Sequence, residues 1–199
     1  MKPALRIAVA DDEPDMREYF QKLLPRLGHQ VVGTAKTGRE LIELCRAQQP
    51  DLVLTDIKMP DMDGIDAAVQ IYRERPVPVI LVSAYHDPEL IARAEEDHIL
   101  GYLIKPIKPA DLEPTIALAV RRFEQFETLR QEAAGLRQAL EDRKVIERAK
   151  GVIMKRLRVD EQEGFRRLKK YASDHNLKLV EFAHTLLSAE EVFAGMEKL

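Results

Sequence analysis

Reactive side chains stand at the ends of four short apolar runs in the first half of the chain. Asp11 and Asp12 follow the run at 5–10, and Asp56 follows the run at 52–55. Ser83 ends the run at 79–83, and Lys105 follows the run at 102–104. Carboxylates that lie close together resist ionising unless a cation neutralises them, and a hard dication such as Mg²⁺ prefers oxygen ligands. If the five side chains share one pocket, Asp56 can act as a nucleophile toward a phosphoryl group while Mg²⁺ screens its charge. Lys105 and the Ser83 hydroxyl would then hold the phosphoryl oxygens.

The elements that must position these residues follow a regular alternation. Apolar runs predict strands at residues 5–10, 31–35, 52–55, 79–83 and 102–104, and the segments between them predict helices at about 15–27, 38–47, 65–73 and 88–97. Most of the runs are continuously aliphatic, which is typical of parallel strands buried on both faces. The pattern therefore predicts an α/β fold with a doubly wound five-stranded parallel sheet. Sites in such sheets form at the carboxyl ends of the strands, which is where the reactive side chains stand.

Residues 5–120 resemble the receiver domain of two-component response regulators, a flavodoxin-like fold. The resemblance depends on segments 9–13 (VADDE), 56–64 (DIKMPDMDG), 82–84 (VSA) and 102–106 (YLIKP), which agree in both order and spacing. It implies that Asp56 accepts a phosphoryl group from a sensor histidine kinase. It also implies Mg²⁺ bound by Asp12, Asp56 and the backbone carbonyl of Lys58, with Asp11 acting mostly through water.

The same resemblance implies a conformational switch and a cis peptide bond before Pro106. A phosphoryl group adds about −1.5 to −2 charge and three acceptor oxygens. Ser83 would move to meet one of these oxygens, and the Tyr102 ring would enter the space that Ser83 leaves. We therefore expect phosphorylation to repack the fourth helix and fifth strand.

The second half of the chain has no strand pattern and predicts helices only. An apolar seam, spaced 3, 4, 3 and 4 residues apart, indicates a short coiled coil; its members are Phe126, Leu129, Ala133, Leu136 and Leu140. The seam can pair two subunits or pack within one chain, and we expect a homodimer through residues 126–140. We assign residues 1–122 to the receiver, 123–142 to a coiled-coil linker helix and 143–199 to a small domain of three helices.

This small domain is basic, although the whole chain has a net charge of −3. Between Arg143 and Lys178 there are 12 Lys and Arg but only 5 Asp and Glu. The first helix, predicted at 143–158, carries a basic stripe of Lys144, Arg148, Lys155 and Arg158 interrupted by Gly151. A mid-helix glycine costs roughly 0.5–1 kcal/mol relative to alanine, which suggests that a ligand approaches the backbone there. Such a surface can neutralise nucleic-acid phosphates, although a charged helix face is also an ordinary solvated surface.

Residues 138–187 resemble an ANTAR domain, the three-helix output module of certain transcription antitermination regulators. The segments that carry the resemblance are 147–154 (ERAKGVIM), 163–168 (EGFRRL) and 171–179 (YASDHNLKL). The resemblance implies that a dimer binds paired hairpins in nascent RNA and so prevents a terminator from forming. We expect RNA contacts from residues of the basic region, namely Arg148, Lys150, Lys155, Arg166, Lys169 and Asn176.

Two other functions remain open under the same receiver switch: a DNA-binding transcriptional regulator and a protein-binding adaptor. An enzymatic output is disfavoured because the tail has no Gly-rich phosphate loop and no cluster of metal ligands. The only chemistry expected is phosphoryl transfer to, and hydrolysis from, the protein's own aspartate. The single cysteine, Cys45, excludes an internal disulfide and fits a reducing compartment. No apolar stretch is long enough to span a membrane, so we expect a cytoplasmic protein.

Overall fold

The computed structural model describes residues 4–84 and 99–196. The chain divides into two compact units, Met1–Thr128 and Leu129–Leu199. The predicted helix at 88–97 lies outside the described residues. Within the described residues, no helix combines the length and the apolar composition that crossing a bilayer requires.

The first unit contains a sheet of five strands in the order β2-β1-β3-β4-β5, and all neighbouring strands are parallel. The strands are β1 (Arg6–Ala10), β2 (Gln30–Ala35), β3 (Leu52–Asp56), β4 (Val79–Ser83) and β5 (Ile99–Ile104). The order reverses between β1 and β3, so the predicted doubly wound five-stranded parallel sheet is confirmed.

Helices cover both faces of the sheet, as the continuous apolar runs of the strands require. The helices of this unit are α1 (Pro14–Arg26), α2 (Gly38–Gln48), α3 (Gly64–Glu74) and the start of α4 (Pro109–Leu157). Alternate residues of β1 enter different cores: Ala8 and Ala10 pack with residues of α2 and α3, whereas Ile7 and Val9 pack with residues of α1 and α4. Every residue of β3 and β4 is buried, because these central strands have a helical layer on each side.

Two of these helices begin next to the carboxyl ends of strands, and short polar side chains cap them. The Thr37 hydroxyl accepts a hydrogen bond from the Glu40 amide at 3.2 Å, and Asp63 Oδ1 accepts one from the Asp66 amide at 2.8 Å. Such caps satisfy amide groups that the first helical turn leaves without partners. They fix where α2 and α3 begin, close to the ends of β2 and β3.

Helix α4 differs from the prediction because it is one continuous helix from Pro109 to Leu157. The sequence predicted a linker helix at 123–142 and a separate output helix from residue 143. The intervening residues are rich in Glu, Arg, Gln, Ala and Leu, which favour helix and offer no stop signal. Three seam residues, Leu129, Leu136 and Leu140, are 60–69% exposed. The predicted boundaries at 122 and 142 and the predicted dimer stay predictions.

The second unit has a small core formed by the end of α4 with α5 (Glu161–Asp174) and α6 (Leu179–Met196). One residue from each helix is fully buried: Ala149, Leu168 and Ala183. Asp160 caps α5, since its Oδ1 accepts a hydrogen bond from the Glu163 amide at 2.8 Å. Helix α6 extends to Met196.

Candidate functional site

An acidic cluster lies at the carboxyl ends of β1 and β3. Ligand oxygens of Asp11, Asp12, Glu13 and Asp56 all lie within 4.8 Å of one another. Asp11 is fully buried and Asp56 nearly so, whereas Asp12 and Glu13 are exposed. The cluster therefore has a buried base and a side open to solvent, through which a small ligand can enter.

Lys105, which follows β5, is the cation shared by this cluster. Its Nζ lies 2.7 Å from Asp56 Oδ2, 2.8 Å from Glu13 Oε1 and 3.0 Å from Asp11 Oδ2. Burial by itself would lower the pKa of Lys105, but the hydrogen bonds to Asp56, Glu13 and Asp11 outweigh it and raise the pKa above the ordinary value. Lys105 is therefore a permanent positive charge at the base of the pocket.

Asp11 is a buried carboxylate whose negative charge is incompletely compensated. Its Oδ1 accepts a hydrogen bond from the Glu13 amide at 3.0 Å, and its buried Oδ2 lies 3.0 Å from the Lys105 Nζ that two other carboxylates share. Burial raises the pKa of Asp11 despite the opposing effects of Lys105 and the Glu13 amide. One lysine does not fully compensate the carboxylates, so a further cation with a preference for oxygen ligands fits this donor set.

Two contacts hold the loops that carry the carboxylates. Arg17 Nη1 donates to the carbonyl oxygens of Asp11 and Asp12, at 2.6 and 2.9 Å. The Gly64 amide donates to the Ile57 carbonyl at 2.8 Å, and a Cβ at Gly64 would lie 1.9 Å from the Asp56 carbonyl oxygen. Only glycine permits this approach, so the start of α3 is packed directly against the backbone of Asp56.

The second unit exposes most of its basic side chains. Lys155 and Lys169 are exposed and form no ion pair in the described part of the chain, whereas Arg148 Nη2 lies 3.7 Å from Glu191 Oε1. Arg166 is exposed but forms a two-pronged contact with Glu163, at 2.7 and 2.8 Å. The unit therefore presents a cationic surface in which some charges are already paired.

Comparison with known families identifies both units. A model described as a response regulator receiver domain matches residues 7–117, more than half of the chain, and one described as an ANTAR domain matches residues 134–187. This chain is a response regulator of the ANTAR type. Its receiver match contains the acidic cluster and Lys105, and its ANTAR match contains most of the cationic surface.

Known proteins resemble this response regulator over different lengths. The transcriptional regulatory protein PdtaR of Mycobacterium tuberculosis is 37% identical over 182 residues, covering 92% of this chain and 89% of PdtaR. The transcriptional regulatory protein HptR of Staphylococcus aureus is 35% identical over 118 residues, covering 58% of this chain and 46% of HptR. The solved receiver domain of NarL from M. tuberculosis superposes with a TM-score of 0.56 at 31% identity, covering 59% of this chain and 97% of that one.

The predicted receiver residues occupy different positions around the pocket. Ser83 is buried at the end of β4, and its carbonyl accepts a hydrogen bond from the Lys105 amide at 2.8 Å. Tyr102 is half-buried and packs against the core on the α2 and α3 side of the sheet. Lys58 has an exposed side chain, and its amide lies 3.4 Å from Asp56 Oδ1. The Lys105–Pro106 peptide bond is cis, as the resemblance implied.

Glu13 is the pocket residue that the predicted set of site residues did not include. It contacts Lys105 directly and contributes an oxygen to the acidic cluster. The available signal was its place immediately after Asp11 and Asp12, at the end of the same strand. Its separation from Lys105 in the sequence gave no indication of the ion pair.

Two of the predicted RNA contacts have structural roles within the ANTAR domain. Lys150 is only 8% exposed, and it binds both Glu147 and Glu161, the latter at 2.7 Å. The hydrogen bonds to Glu147 and Glu161 raise the pKa of Lys150. Asn176 has a left-handed backbone, with φ at 53°, just after α5, a conformation that asparagine tolerates at helix ends. In this arrangement Lys150 joins α4 to α5, and its predicted contact with RNA remains untested.

Proposed function

We propose that this response regulator accepts a phosphoryl group on Asp56 from a sensor histidine kinase and thereby controls binding of hairpin RNA by its ANTAR domain. Transcription antitermination would be the outcome. The observation that best supports the proposal is the contact of one largely buried lysine, Lys105, with three carboxylates at the strand ends. A cation placed beside a nucleophilic carboxylate stabilises the charge that phosphoryl transfer brings into the pocket.

Each residue of the pocket has a role in this proposal. Asp12, Asp56 and the Lys58 carbonyl would hold Mg²⁺, with Asp11 acting through water, and the ion would neutralise phosphoryl charge. Asp56 would supply the attacking oxygen. Lys105 Nζ already lies 2.7 Å from Asp56 Oδ2, so it could donate to a phosphoryl oxygen attached there. Glu13 would keep Lys105 in place before phosphorylation.

The switch would link the pocket to the rest of the receiver through β4 and β5. Ser83 and Ile104 are partners in the register of these strands, and Tyr102 lies two residues before Ile104. A phosphoryl oxygen that draws the Ser83 hydroxyl toward Asp56 would change the space open to the Tyr102 ring. This movement would repack the face that a partner or a second copy contacts.

The ANTAR domain would bind RNA chiefly by its exposed cations. Arg148, Lys155 and Lys169 are exposed. Arg166 would release the Glu163 carboxylate and bind a phosphate oxygen instead. Unpaired loop bases and backbone are the parts of an RNA hairpin that proteins most often recognise. The exposed seam of α4 would allow two copies to pair through residues 126–140 and so hold two hairpins at once.

The test is filter binding to a paired-hairpin RNA, with and without beryllofluoride plus Mg²⁺ as a phosphoryl analogue. We expect the analogue to strengthen binding, Asp56→Ala to abolish that response, and the pair Arg148→Ala with Lys155→Ala to abolish RNA binding in both states. An Asp56→Ala protein that still responded to beryllofluoride would refute the switch assignment. Equal or tighter binding to duplex DNA at the same salt would favour a DNA-binding regulator.

A protein-binding output is the second candidate, because the ANTAR domain has an apolar groove. The groove has a volume of about 610 Å³ and lies between α4, α5 and α6. Its apolar lining includes Ile153, Leu157, Tyr171, Phe182, Leu186 and Phe193. A protein partner seated there would show little dependence of affinity on salt, whereas RNA binding weakens steeply as salt rises.

A further inference from the structure

Helix α6 continues beyond the part of the chain that matches the ANTAR family. The match ends at residue 187, but the helix reaches Met196. We call residues 188–196 the α6 extension. Two adjacent carboxylates of this extension contact α4: Glu191 lies near Arg148 of the basic stripe, and Glu190 lies near Arg156, which is outside the stripe.

The carboxylates of the α6 extension bind arginines of α4. Glu190 Oε2 lies 3.0 Å from Arg156 Nε and 2.9 Å from Arg156 Nη2, and the Glu190 side chain is only 29% exposed. Glu191 Oε1 lies 3.7 Å from Arg148 Nη2, and both of these side chains are well exposed. The Glu190 contact is therefore close and partly sheltered, whereas the Glu191 contact is looser.

A cleft between α4 and α6 lies beside these contacts. It has a volume of about 330 Å³, and its lining includes Gly151, Lys155, Arg148 and both glutamates. A Cβ at Gly151 would meet no atom within 4 Å, so packing does not require glycine there. The cleft instead leaves the α4 backbone open between two cations of the stripe, which is what close approach of a ligand requires.

Carboxylate and phosphate oxygens compete for the same arginine donors. The guanidinium group presents its N–H groups in a planar fork that fits either anion. We propose that the cleft beside Gly151 is an RNA-phosphate subsite, and that the two glutamates that line it mask it until RNA displaces them. Glu191 masks it by pairing with Arg148, and Glu190 by placing a second carboxylate at its wall. This inference rests on the proposed RNA-binding function and assigns regulation to the same surface. Lys155 has no carboxylate partner among residues 4–84 and 99–196, so it is the cation that incoming phosphate meets first.

The size of the effect follows from the exposure of these ion pairs. One exposed ion pair contributes less free energy than a tenfold change in affinity requires. We therefore expect the affinity for RNA to change by about 3- to 10-fold, rather than to switch on and off. Releasing Arg148 also adds one cation that can neutralise a phosphate in the cleft. The slope of log affinity against log salt should therefore become steeper by about 1.

The experiment compares Glu→Gln variants of the full-length protein in binding to the paired-hairpin RNA across a range of salt. We expect the Glu190→Gln and Glu191→Gln double variant to bind more tightly and with the steeper slope. Glu181→Gln is the matched control for Glu191→Gln, because Glu181 is on the same helix and also lies 3.7 Å from a cation, Lys178. Equal affinities of the wild type, the double variant and Glu181→Gln would overturn the inference and leave the proposed function intact.

A heparin column separates this inference from failure of RNA binding itself. Glu191→Gln and Glu181→Gln carry the same net charge, so only the place of the lost carboxylate differs between them. Later elution of Glu191→Gln would support masking of the cleft, even if no variant bound hairpin RNA and the proposed function failed. Elution of the two variants at the same salt would overturn the masking. Equal helical circular dichroism of the variants would show that α6 stays folded.

Discussion

The receiver pocket and the ANTAR surface both pair cations with carboxylates, but in opposite ways. In the pocket, one largely buried lysine contacts three carboxylates that come from the ends of two strands. On the ANTAR surface, cations outnumber carboxylates, and most of the pairs are short-range or exposed. The pocket concentrates unbalanced negative charge on a partly buried cluster, where water screens it less than at the surface, which suits chemistry at one atom. The surface spreads positive charge in solvent, which suits weak, salt-dependent contacts with many phosphates.

The largest effect should come from removing the shared cation of the pocket. We expect Lys105→Ala to lower the free energy of unfolding by about 3 kcal/mol at pH 7 without Mg²⁺, because buried carboxylates lose their partner. The pKa of Lys105 is raised in the folded state, so its contribution is present below the ordinary value of 10.5 and is lost only as the pH rises through the folded-state pKa. Urea denaturation measures the change.

Lys108 provides a matched control for this substitution. It is exposed and lies three residues away, so Lys108→Ala should change stability by less than about 0.5 kcal/mol. Stabilisation of Lys105→Ala by Mg²⁺ should exceed that of the wild type, because the ion would replace the missing charge. If the two lysine variants were equally stable, the pocket would not depend on a shared cation.

The second prediction concerns the backbone that holds Asp56. We expect Gly64→Ala to cost about 2 kcal/mol, because the new Cβ would overlap the Asp56 carbonyl oxygen and force α3 away from β3. Uptake of phosphate from a small-molecule phosphodonor should slow as well. Gly135→Ala is the control: its Cβ would meet nothing within 4 Å on α4, so it should stabilise the helix by up to about 1 kcal/mol. Loss of stability in both variants would contradict this account.

The order of elements in the receiver could be predicted from sequence because its strands are buried on both faces and carry little else than aliphatic residues. The least accurate strand was β5, predicted from 102 but observed from Ile99. Gly101 interrupts that run and resembles a break. In the structure a Cβ at Gly101 would lie 3.0 Å from Thr115 on α4, so the small residue allows the helix to pack on the strand.

The ANTAR surface could not be predicted residue by residue, because a charge pattern does not define exposure. Lys150 and Lys155 lie on the same helix in a region that sequence alone marked as basic, yet one is nearly buried and the other exposed. The difference comes from α5, which places Glu161 against Lys150. That contact depends on how the helices pack, and helical periodicity gives the face of a residue but not its partner on another helix.

This pair of lysines gives the third prediction. We expect Lys155→Ala to weaken RNA binding several-fold and to reduce the salt slope by about 1, with little change in melting temperature, because it removes one phosphate contact. Lys150→Ala should lower the melting temperature measurably by separating α4 from α5, while the salt slope stays within about 0.3 of the wild-type value. If Lys150→Ala reduced the salt slope and Lys155→Ala lowered the melting temperature instead, Lys150 would be the direct RNA contact.

The smallest expected effect tests whether the charge imbalance of the pocket costs stability. Burial raises the folded-state pKa of Asp11 above its ordinary value of 3.8. The folded protein therefore binds more protons than the unfolded chain between these two values, and its stability falls as the pH rises through that window. The asparagine in Asp11→Asn does not ionise, so this variant does not lose stability in that window. In EDTA at pH 7 it should be more stable than the wild type by about 0.5 kcal/mol. It should also lose part of the stabilisation that Mg²⁺ gives the wild type. A metal-free Asp11→Asn protein less stable than the wild type would mean that Lys105 fully compensates Asp11, and that the pocket needs no second cation.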